Sequence, residues 1–260
     1  VCGGGGNTRS ASMVISFGRP CPLGWSAMTH RYIFTANCGS HTPSSTSRGV
    51  HAFQMELLNL SCISNDASFV LDEKLSTSIN LEAFEPMVIA AKNAGIKRFI
   101  YASSSSVYGL SDQKEVKEDH PLVPLTLYNK YKGMCEPVLL KHTNDSFEGV
   151  IFRPATVCGF APKLRLDLSV NILTNHAVNK NQITVFGGEQ LRPNLHIQDY
   201  CDLVELLISV DSNKIKNQIF NVGYQNLSIN QIAQIVKNVV QKEFPEKGKI
   251  NIIKTESDDN

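Results

Sequence analysis

From Glu56 onward, hydrophobic and polar positions follow two alternating patterns. Short apolar runs bounded by polar residues are typical of buried strands, and longer segments with apolar residues three and four positions apart are typical of helices. The patterns predict strands at 56–60, 97–102, 150–152 and 183–186, and helices at 80–93, 128–141, 170–178 and 229–242. Strands and helices that alternate at these lengths indicate βαβ units. We therefore predict an α/β fold with a doubly wound parallel sheet.

Two residues affect where the helix predicted at 80–93 ends and whether it is straight. Gly95 follows its last apolar position and is a helix-stop signal, because glycine readily adopts the left-handed conformation that ends a helix. Pro86 lies inside the segment and cannot donate a backbone hydrogen bond there. The pattern therefore predicts a helix that ends at Gly95, and Pro86 argues against an unkinked course.

The first 55 residues differ in composition from the rest of the chain. They contain no Asp, Glu or Lys, and their basic residues are all Arg. They are rich in Gly, Ser and Thr and show neither a helical nor a strand period. Three interpretations stay open: a foreign or misread stretch, a natural disordered leader such as an organelle transit peptide, and a divergent fold. We predict that residues 1–55 pack poorly and that the sheet's first strands are doubtful.

Charge and cysteine usage narrow the class of protein. A net charge of +1 provides no general field that would attract nucleic acid or a membrane surface. No uninterrupted apolar stretch approaches the roughly 20 residues needed to span a bilayer. The seven cysteines are scattered, odd in number and without a CxxC pair, which favours a reducing compartment and a cytoplasmic location. The seven histidines show no paired spacing, so we expect no metal site.

Tyr128 and Lys132 form the strongest candidate for chemistry. A tyrosine hydroxyl, with a pKa of about 10, is a poor base at neutral pH. A lysine four residues later on a helix lies on the same face, and its positive charge favours the phenolate. A nearby serine can hydrogen-bond the substrate oxygen, and the run Ser103–Ser106 follows a predicted strand. Ligands bind beyond the carboxyl ends of such strands, so these residues predict one site.

Five segments in order resemble the extended short-chain dehydrogenase/reductase family, in particular its nucleotide-sugar epimerases and dehydratases. The first reads GIKRFIYASSSSVYG, which is similar to the family's strand and Ser-Ser-x-x-Val-Tyr-Gly turn. The second, PLVPLTLY, resembles the approach to its catalytic helix, and FRPATVCG resembles the strand that follows. The last two, ITVFGG and RPNLHIQD, look like its nucleotide-binding segments. The resemblance extends over about residues 57–257.

The resemblance implies a Rossmann-like sheet, bound NAD or NADP, and a nucleotide-diphosphate sugar as substrate; a homodimer is left open. The family's catalytic Ser or Thr stands three residues before the Val, which selects Ser104. Its motifs imply three groups of residues: catalytic Ser104, Tyr128 and Lys132; cofactor-binding Leu60, Ser61, Asn80, Ser103, Tyr128, Lys132, Arg153 and Pro154; substrate-binding Ser104, Ser105, Thr156, Phe186 and Arg192. Within the last group, Arg192 is expected on the diphosphate and Phe186 against the base.

The chain departs from the family at its cofactor-binding start. The family has a strand and a Gly-x-x-Gly-x-x-Gly turn whose amides hold the cofactor diphosphate. Here only the run Gly3–Gly6 is available. The chain has no acidic residue before Glu56, so the carboxylate that would bind the adenosine ribose is absent. Asn59-Leu60-Ser61 stands where the family usually has His-Leu-Ala. We therefore expect residues 1–55 to be a divergent leader, 56–160 an incomplete Rossmann-like domain, and 161–260 a smaller substrate-binding region interleaved with it.

The leading function is NAD-dependent epimerisation or keto-reduction of a nucleotide-diphosphate sugar through a keto intermediate. The family's 4,6-dehydratases place Asp-Glu before the Val, where this chain has Ser105-Ser106. Two hydroxyls cannot supply the acid and base that elimination needs, so a nucleotide-sugar dehydratase is the weaker alternative. Another alternative is a non-catalytic remnant that cannot hold NAD, which the composition of residues 1–55 supports.

Overall fold

The computed structural model describes the backbone at residues 11–15 and 32–37, and then residues 54–256 except 65, 112, 114 and 163. This part of the chain divides into two compact units. The first contains the described residues up to Phe152 together with Val210–Phe220, and the second contains Arg153–Ser209 and the described residues from Asn221 onward. The domain bounds predicted from the sequence, at 56–160 and 161–260, stay predictions. The run Gly3–Gly6 lies outside the described residues.

The strands and helices of the described residues are numbered in chain order. The strands are β1 (Ala11–Ile15), β2 (Tyr32–Asn37), β3 (Gln54–Asn59), β4 (Arg98–Ala102), β5 (Glu148–Pro154), β6 (Thr156–Cys158), β7 (Gln182–Phe186), β8 (Leu191–His196), β9 (Ile219–Val222), β10 (Gln225–Ser228) and β11 (Asn251–Thr255). The α-helices are α1 (Asp66–Leu71), α2 (Glu73–Thr77), α3 (Phe84–Asn93), α4 (Leu127–His142), α5 (Ser169–Lys180), α6 (Ile197–Ser209), α7 (Ser212–Ile215) and α8 (Ile229–Glu243).

The main sheet has the strand order β1-β2-β3-β4-β5-β9. Its central strands β3, β4 and β5 are parallel, with helices in the connections between them, as the alternating pattern predicts. The α/β prediction is confirmed. Strands β1 and β2 join the edge in antiparallel orientation, which the pattern did not predict. The poor packing expected for residues 1–55 stays a prediction.

The helix predicted at 80–93 is interrupted near its start. A π-helical turn covers Ser78–Glu82, and the regular helix α3 begins at Phe84. Pro86 therefore lies in the first turn of α3, where its missing N–H costs no intrahelical hydrogen bond. Gly95 ends the segment with φ +80°, as predicted for a helix stop.

Each unit has its own apolar core. In the first, α3 and α4 pack on one face of the sheet, and the Phe84 ring lies 4.7 Å from that of Tyr101 and 6.1 Å from that of Phe99. In the second, α5 and α8 cover the parallel pair β7 and β11 through apolar residues that include Leu173 and Val236. A separate three-stranded sheet with the order β10-β8-β6 belongs to the second unit. These frames position the side chains considered below.

A buried charged triad crosses the amino-terminal ends of the central strands. Glu56, Arg98 and Glu148 are directly paired neighbours on β3, β4 and β5. Arg98 Nε donates to Glu148, its Nη1 lies 3.5 Å from Glu56 Oε1, and its Nη2 donates to Val210 O at 2.9 Å and to Ser212 Oγ at 3.1 Å. One guanidinium thus serves two carboxylates. Burial raises the pKa of Glu56 from 4.5 to about 7, against the lowering effect of Arg98 and with a smaller raising effect from Glu148.

The raised pKa of Glu56 predicts a stability that falls with pH. The folded state holds the Glu56 proton more tightly than the unfolded state, so stability is lost as pH rises from about 4.5 to about 7. Glu56→Gln removes this titration, and above pH 7 the variant is expected to be more stable than the wild type by up to about 3 kcal/mol. Urea unfolding at a series of pH values measures this, with the exposed Glu82→Gln as control. Parallel pH curves for wild type and Glu56→Gln would show that Glu56 does not titrate in this range.

Candidate functional site

Helix α4 carries the predicted catalytic pair. It starts after Thr126, whose side-chain oxygen accepts a hydrogen bond from Asn129 N at 3.3 Å and so caps the helix. Tyr128 and Lys132 are one helical turn apart and share a face. Tyr128 is half-buried, whereas Lys132 is only 5% exposed. The helix thus presents a phenol at its amino end and a buried cation one turn later.

Lys132 is fixed against the carboxyl end of β4. Its Nζ donates to Ala102 O at 2.7 Å and lies 5.1 Å from the centre of the Tyr101 ring. An ammonium group has three donors, so two remain for other partners. Burial raises the pKa of the nearby Tyr101 well above its ordinary value, and its hydroxyl donates to Lys132 O at 3.2 Å. Tyr101 therefore stays neutral and does not compete as a base.

A second hydrogen bond joins the same face of α4 to Ser103, the residue that follows Ala102. Ser103 Oγ donates to Glu136 Oε1 at 2.5 Å, and both residues are buried. Lys132 and Glu136 are one helical turn apart on α4, and their partners Ala102 and Ser103 are consecutive residues at the end of β4. The helix is therefore attached at two successive points, which fixes its position along the strand end immediately before Ser104.

Ser104 begins the short turn that follows β4. It caps a 3₁₀ helix at Ser105–Tyr108, and its Oγ accepts from Ser106 N at 3.2 Å. Ser104 and Ser105 are both half-buried. The convergence of Ser104 and the Tyr128 hydroxyl on one substrate oxygen stays a prediction.

Gly109 ends this turn and connects it to the approach of α4. Its φ is +69°, and a Cβ atom placed there would lie 1.9 Å from Val123 O. Only glycine combines that conformation with so close an approach of two backbones. Residues after the serine turn and residues just before α4 are thereby held together, which limits how far Ser104 and Tyr128 can separate.

A cavity of about 200 Å³ opens beside Lys132. Of the predicted cofactor-binding residues, three line it: Ser61, Asn80 and Lys132. The others do not: Leu60, Ser103, Tyr128, Arg153 and Pro154. Asn80 is held by two hydrogen bonds with the backbone of Ile63, at 2.9 and 3.0 Å. Ser61 N donates to Asn59 Oδ1 at 2.9 Å. The cavity thus combines hydrogen-bonded polar residues and the buried Lys132 with apolar residues such as Phe84 and Met87.

The remaining predicted residues belong to the second unit. Arg153 is buried at the end of β5, and Pro154 beside it is half-buried. Thr156 is paired with Asn194, and Arg192 lies two residues before Asn194 on β8, so Thr156 and Arg192 are on the same face of the small sheet. Phe186 is 55% exposed at the end of β7, and Arg192 is exposed with Nη1 donating to Leu191 O at 3.0 Å.

A second cavity of about 200 Å³ lies within the second unit. It is bordered by Cys158 of β6, by Leu195 of β8 and by apolar residues of α8. None of the predicted substrate-binding residues Thr156, Phe186 and Arg192 lines it. The substrate roles assigned to these three residues therefore gain no support from this cavity and stay predictions.

The described residues contain neither a cluster of metal-ligating side chains nor a helix suited to span a bilayer. Among them, no group of three or more His, Cys, Asp or Glu side chains is placed to hold a metal ion. Within the same residues, none of the helices has both the length and the apolar character needed to cross a bilayer.

Sequence reasoning missed Glu136 as part of the site. Its spacing from Lys132 was a usable signal, because residues four apart on a helix share a face. It also missed Asn129, which is buried in the first turn of α4 and accepts a hydrogen bond from Ser106. No spacing rule links Ser106 to Asn129, since their contact depends on the path of the loop between them.

Comparison with known proteins places this arrangement in a family. The model of the NAD dependent epimerase/dehydratase family matches residues 55–223, which include the serine turn and all of α4. The chain belongs to this family. The resemblance drawn from the five sequence segments is therefore confirmed, and the match begins just after the compositionally distinct first 55 residues.

The chain is also similar in sequence or structure to individual epimerases and dehydratases. A UDP-glucose 4-epimerase of Lactobacillus helveticus is 25% identical over 62% of this chain and 54% of its own length. The human dTDP-D-glucose 4,6-dehydratase is 28% identical over 68% of this chain and 49% of its own. The chain thus spans about half the length of these curated relatives. A UDP-N-acetylglucosamine 4-epimerase from Methanobrevibacter ruminantium M1, solved with UDP-N-acetylmuramic acid, shares the fold with a TM-score of 0.66 at 22% identity, covering 78% of this chain and 64% of that one.

Proposed function

We propose that the protein catalyses the NAD-dependent epimerisation or keto-reduction of a nucleotide-diphosphate sugar. The observation that carries the proposal is the attachment of α4 to the end of β4. Lys132 bonds to Ala102 O and also lines the cavity, while Ser104 follows two residues after Ala102. A base, its cationic neighbour and a serine hydroxyl are therefore supplied by two elements held together by direct hydrogen bonds.

We assign the cavity beside Lys132 to one end of a dinucleotide. At about 200 Å³ it is smaller than a typical cofactor site, and Lys132, Asn80 and Ser61 are among the residues that line it. Ammonium and hydroxyl groups are suitable partners for ribose hydroxyls. We assign Lys132 to the ribose next to the nicotinamide, with Asn80 and Ser61 on the cavity wall. NAD bound there would accept and return a hydride at the sugar carbon.

In the proposed mechanism, Tyr128 removes the proton from a sugar hydroxyl. The Lys132 charge favours the phenolate, and burial of Lys132 away from bulk water strengthens that effect. Ser104 hydrogen-bonds the sugar oxygen and keeps it within reach of Tyr128. Reduction of the keto sugar then requires the reverse transfer, in which Tyr128 returns the proton to the sugar oxygen.

The serine turn favours epimerisation or keto-reduction over dehydration. Elimination of water needs an acid and a base beside the sugar, and Ser105 and Ser106 occupy the positions at which the resemblance places them. Ser106 is engaged by Ser104 and Asn129, at 2.6 and 2.5 Å. Neither hydroxyl can act as a carboxylate would at neutral pH.

The test is to incubate the full-length protein with NAD and either UDP-glucose or dTDP-glucose and to identify the sugar products by NMR. Formation of the 4-epimer without net NADH supports epimerisation. In a separate incubation with NADH, net reduction of an added keto sugar with matching consumption of NADH supports keto-reductase activity. A 4-keto-6-deoxy product would show a dehydratase instead. If neither NAD nor a sugar nucleotide bound in calorimetry, the catalytic proposal would be wrong and a non-catalytic role would take its place.

Arg192→Ala is expected to weaken substrate binding before it affects the chemical step. We propose that Arg192 contacts the sugar-nucleotide diphosphate, for which its exposed guanidinium on β8 is suited. Loss of a hydrogen bond to a charged group corresponds to an increase of about 10- to 100-fold in KM with kcat nearly unchanged. Steady-state kinetics measures this, with Arg165→Ala, a half-buried arginine paired with Asp167, as the matched control. A KM within about twofold of wild type would exclude Arg192 from the diphosphate.

The cysteines support a cytoplasmic location as part of the proposal. Cys62, Cys135, Cys158 and Cys201, the cysteines that the structure describes, are all free thiols. Free thiols of this number are typical of a reducing compartment. Labelling the native protein with a thiol reagent immediately after lysis would show oxidised cysteines if the protein resided in an oxidising compartment.

A further inference from the structure

A chain of hydrogen bonds leads from Ser104 to the helix that carries Tyr128. Ser104 Oγ and Ser106 Oγ are 2.6 Å apart, and Ser106 Oγ donates to Asn129 Oδ1 at 2.5 Å. Asn129 is 8% exposed and directly follows Tyr128 on α4. Its backbone N–H is held by the Thr126 cap at 3.3 Å. The chain therefore ends on a buried residue of the first helical turn.

The donors and acceptors give this chain a direction. A serine hydroxyl has a single proton, and that of Ser106 goes to Asn129. In the 2.6 Å contact, Ser104 must therefore donate and Ser106 accept. Ser104 Oγ also accepts from Ser106 N at 3.2 Å, so its oxygen is held by two hydrogen bonds. Its proton can turn toward a substrate oxygen by rotation about the Cβ–Oγ bond, without displacement of the oxygen itself.

We infer that Ser106 and Asn129 are positioning residues for Ser104. They fix its oxygen relative to Tyr128 and give its proton a defined resting acceptor, so that Ser104 is already placed when the sugar binds. The inference rests on the proposed function. It adds a role for two residues of the serine turn and α4 that touch neither the sugar nor the cofactor in the proposed mechanism.

The inference predicts a specific loss on Ser106→Ala. Removing one neutral hydrogen bond that acts in the reaction lowers kcat by about tenfold, while KM stays within about twofold because no substrate contact is lost. Ser106→Thr keeps the hydroxyl and is expected to restore kcat. Asn129→Leu, similar in size and without an acceptor, lowers kcat in the same direction. Because none of these groups is charged, the pH profile of kcat keeps its shape.

A double variant separates a connected chain from two independent contacts. Once Ser106→Ala has broken the chain, adding Asn129→Leu should cost little more, since groups acting as a unit are non-additive. Ser111→Ala, an exposed serine farther along the same loop, serves as the matched control. Unfolding midpoints in urea show that each variant is folded, and those of the double variant should also be non-additive.

The possible results distinguish failure of the positioning inference from failure of the proposed function. A wild-type protein that converts nucleotide-diphosphate sugars, with Ser106→Ala at wild-type kcat, overturns the inference and leaves the proposed function intact. Additive losses in the double variant, or failure of Ser106→Thr to restore kcat, also overturn it. A wild-type protein that binds and converts no nucleotide-diphosphate sugar overturns the proposed function, and the positioning role falls with it.

Discussion

Tyr128→Phe is expected to lower kcat by about 10²- to 10⁴-fold, the usual cost of losing a general base. The ring remains, so packing around the half-buried side chain persists and sugar-nucleotide binding should be nearly unchanged. Only the oxygen that accepts the proton is lost. Turnover of UDP-glucose by the full-length protein, together with calorimetric affinity for the same sugar nucleotide, separates the two effects.

The same helix offers a matched control. Tyr131 lies three residues after Tyr128, its ring packs against Phe69 at 5.6 Å, and its hydroxyl is 3.3 Å from Thr77 Oγ1. Tyr131→Phe removes a phenolic oxygen with a structural partner and should keep kcat near that of wild type. If Tyr128→Phe retained more than about a tenth of wild-type kcat, the catalytic assignment would be wrong, although the fold and family would stand.

Arg98→Met is expected to cost the largest amount of stability. It leaves Glu56 and Glu148 on neighbouring positions of the sheet without their shared cation, and it removes the hydrogen bonds to Val210 and Ser212. Removing one partner of a buried ion pair typically costs about 3–5 kcal/mol, because the remaining charge stays buried and uncompensated. Urea unfolding at neutral pH measures the loss.

Two comparisons test the cause of that loss. Lys97→Met removes a neighbouring exposed cation and should change stability by less than about 0.5 kcal/mol. The cost of Arg98→Met should also shrink at acidic pH, because protonated carboxyls need no counter-charge. A cost that is equal at acidic and neutral pH would point to lost packing of the arginine stem and not to the two carboxylates.

Local patterns in the sequence predict the central fold well. The helix predicted at 128–141 is α4 (Leu127–His142), and the strand predicted at 97–102 is β4 (Arg98–Ala102). Each predicted bound lies within one residue of the observed one, although Pro137 lies inside α4. The small sheet β10-β8-β6 was not predicted, because its strands are three to six residues long and pair between distant parts of the chain.

The candidate site could be predicted from the sequence only in part. Helical spacing places Tyr128 and Lys132 on one face, and the end of a parallel strand places Ser104 near ligands. The contact between Ser106 and Asn129 depends on the loop between them, which no periodic pattern describes. The hydrogen bond between Glu136 and Ser103 was missed for a different reason. Glutamate is rarely buried without a partner, so a glutamate whose partner is unknown is predicted to lie on the surface.

The contact between Gly109 and the Val123 carbonyl has a consequence for how the protein can diversify. It closes the base of an excursion that leaves after the serine turn and returns just before α4, and the excursion includes the highly exposed Leu110. Closing a longer loop costs little additional entropy, about 0.6 kcal/mol for each doubling of its length. Insertions beyond Gly109 and before Val123 should therefore be tolerated without moving Ser104 or Tyr128. Evolution, or a protein engineer adding a peptide tag, could vary this stretch while Ser104 and Tyr128 keep their positions.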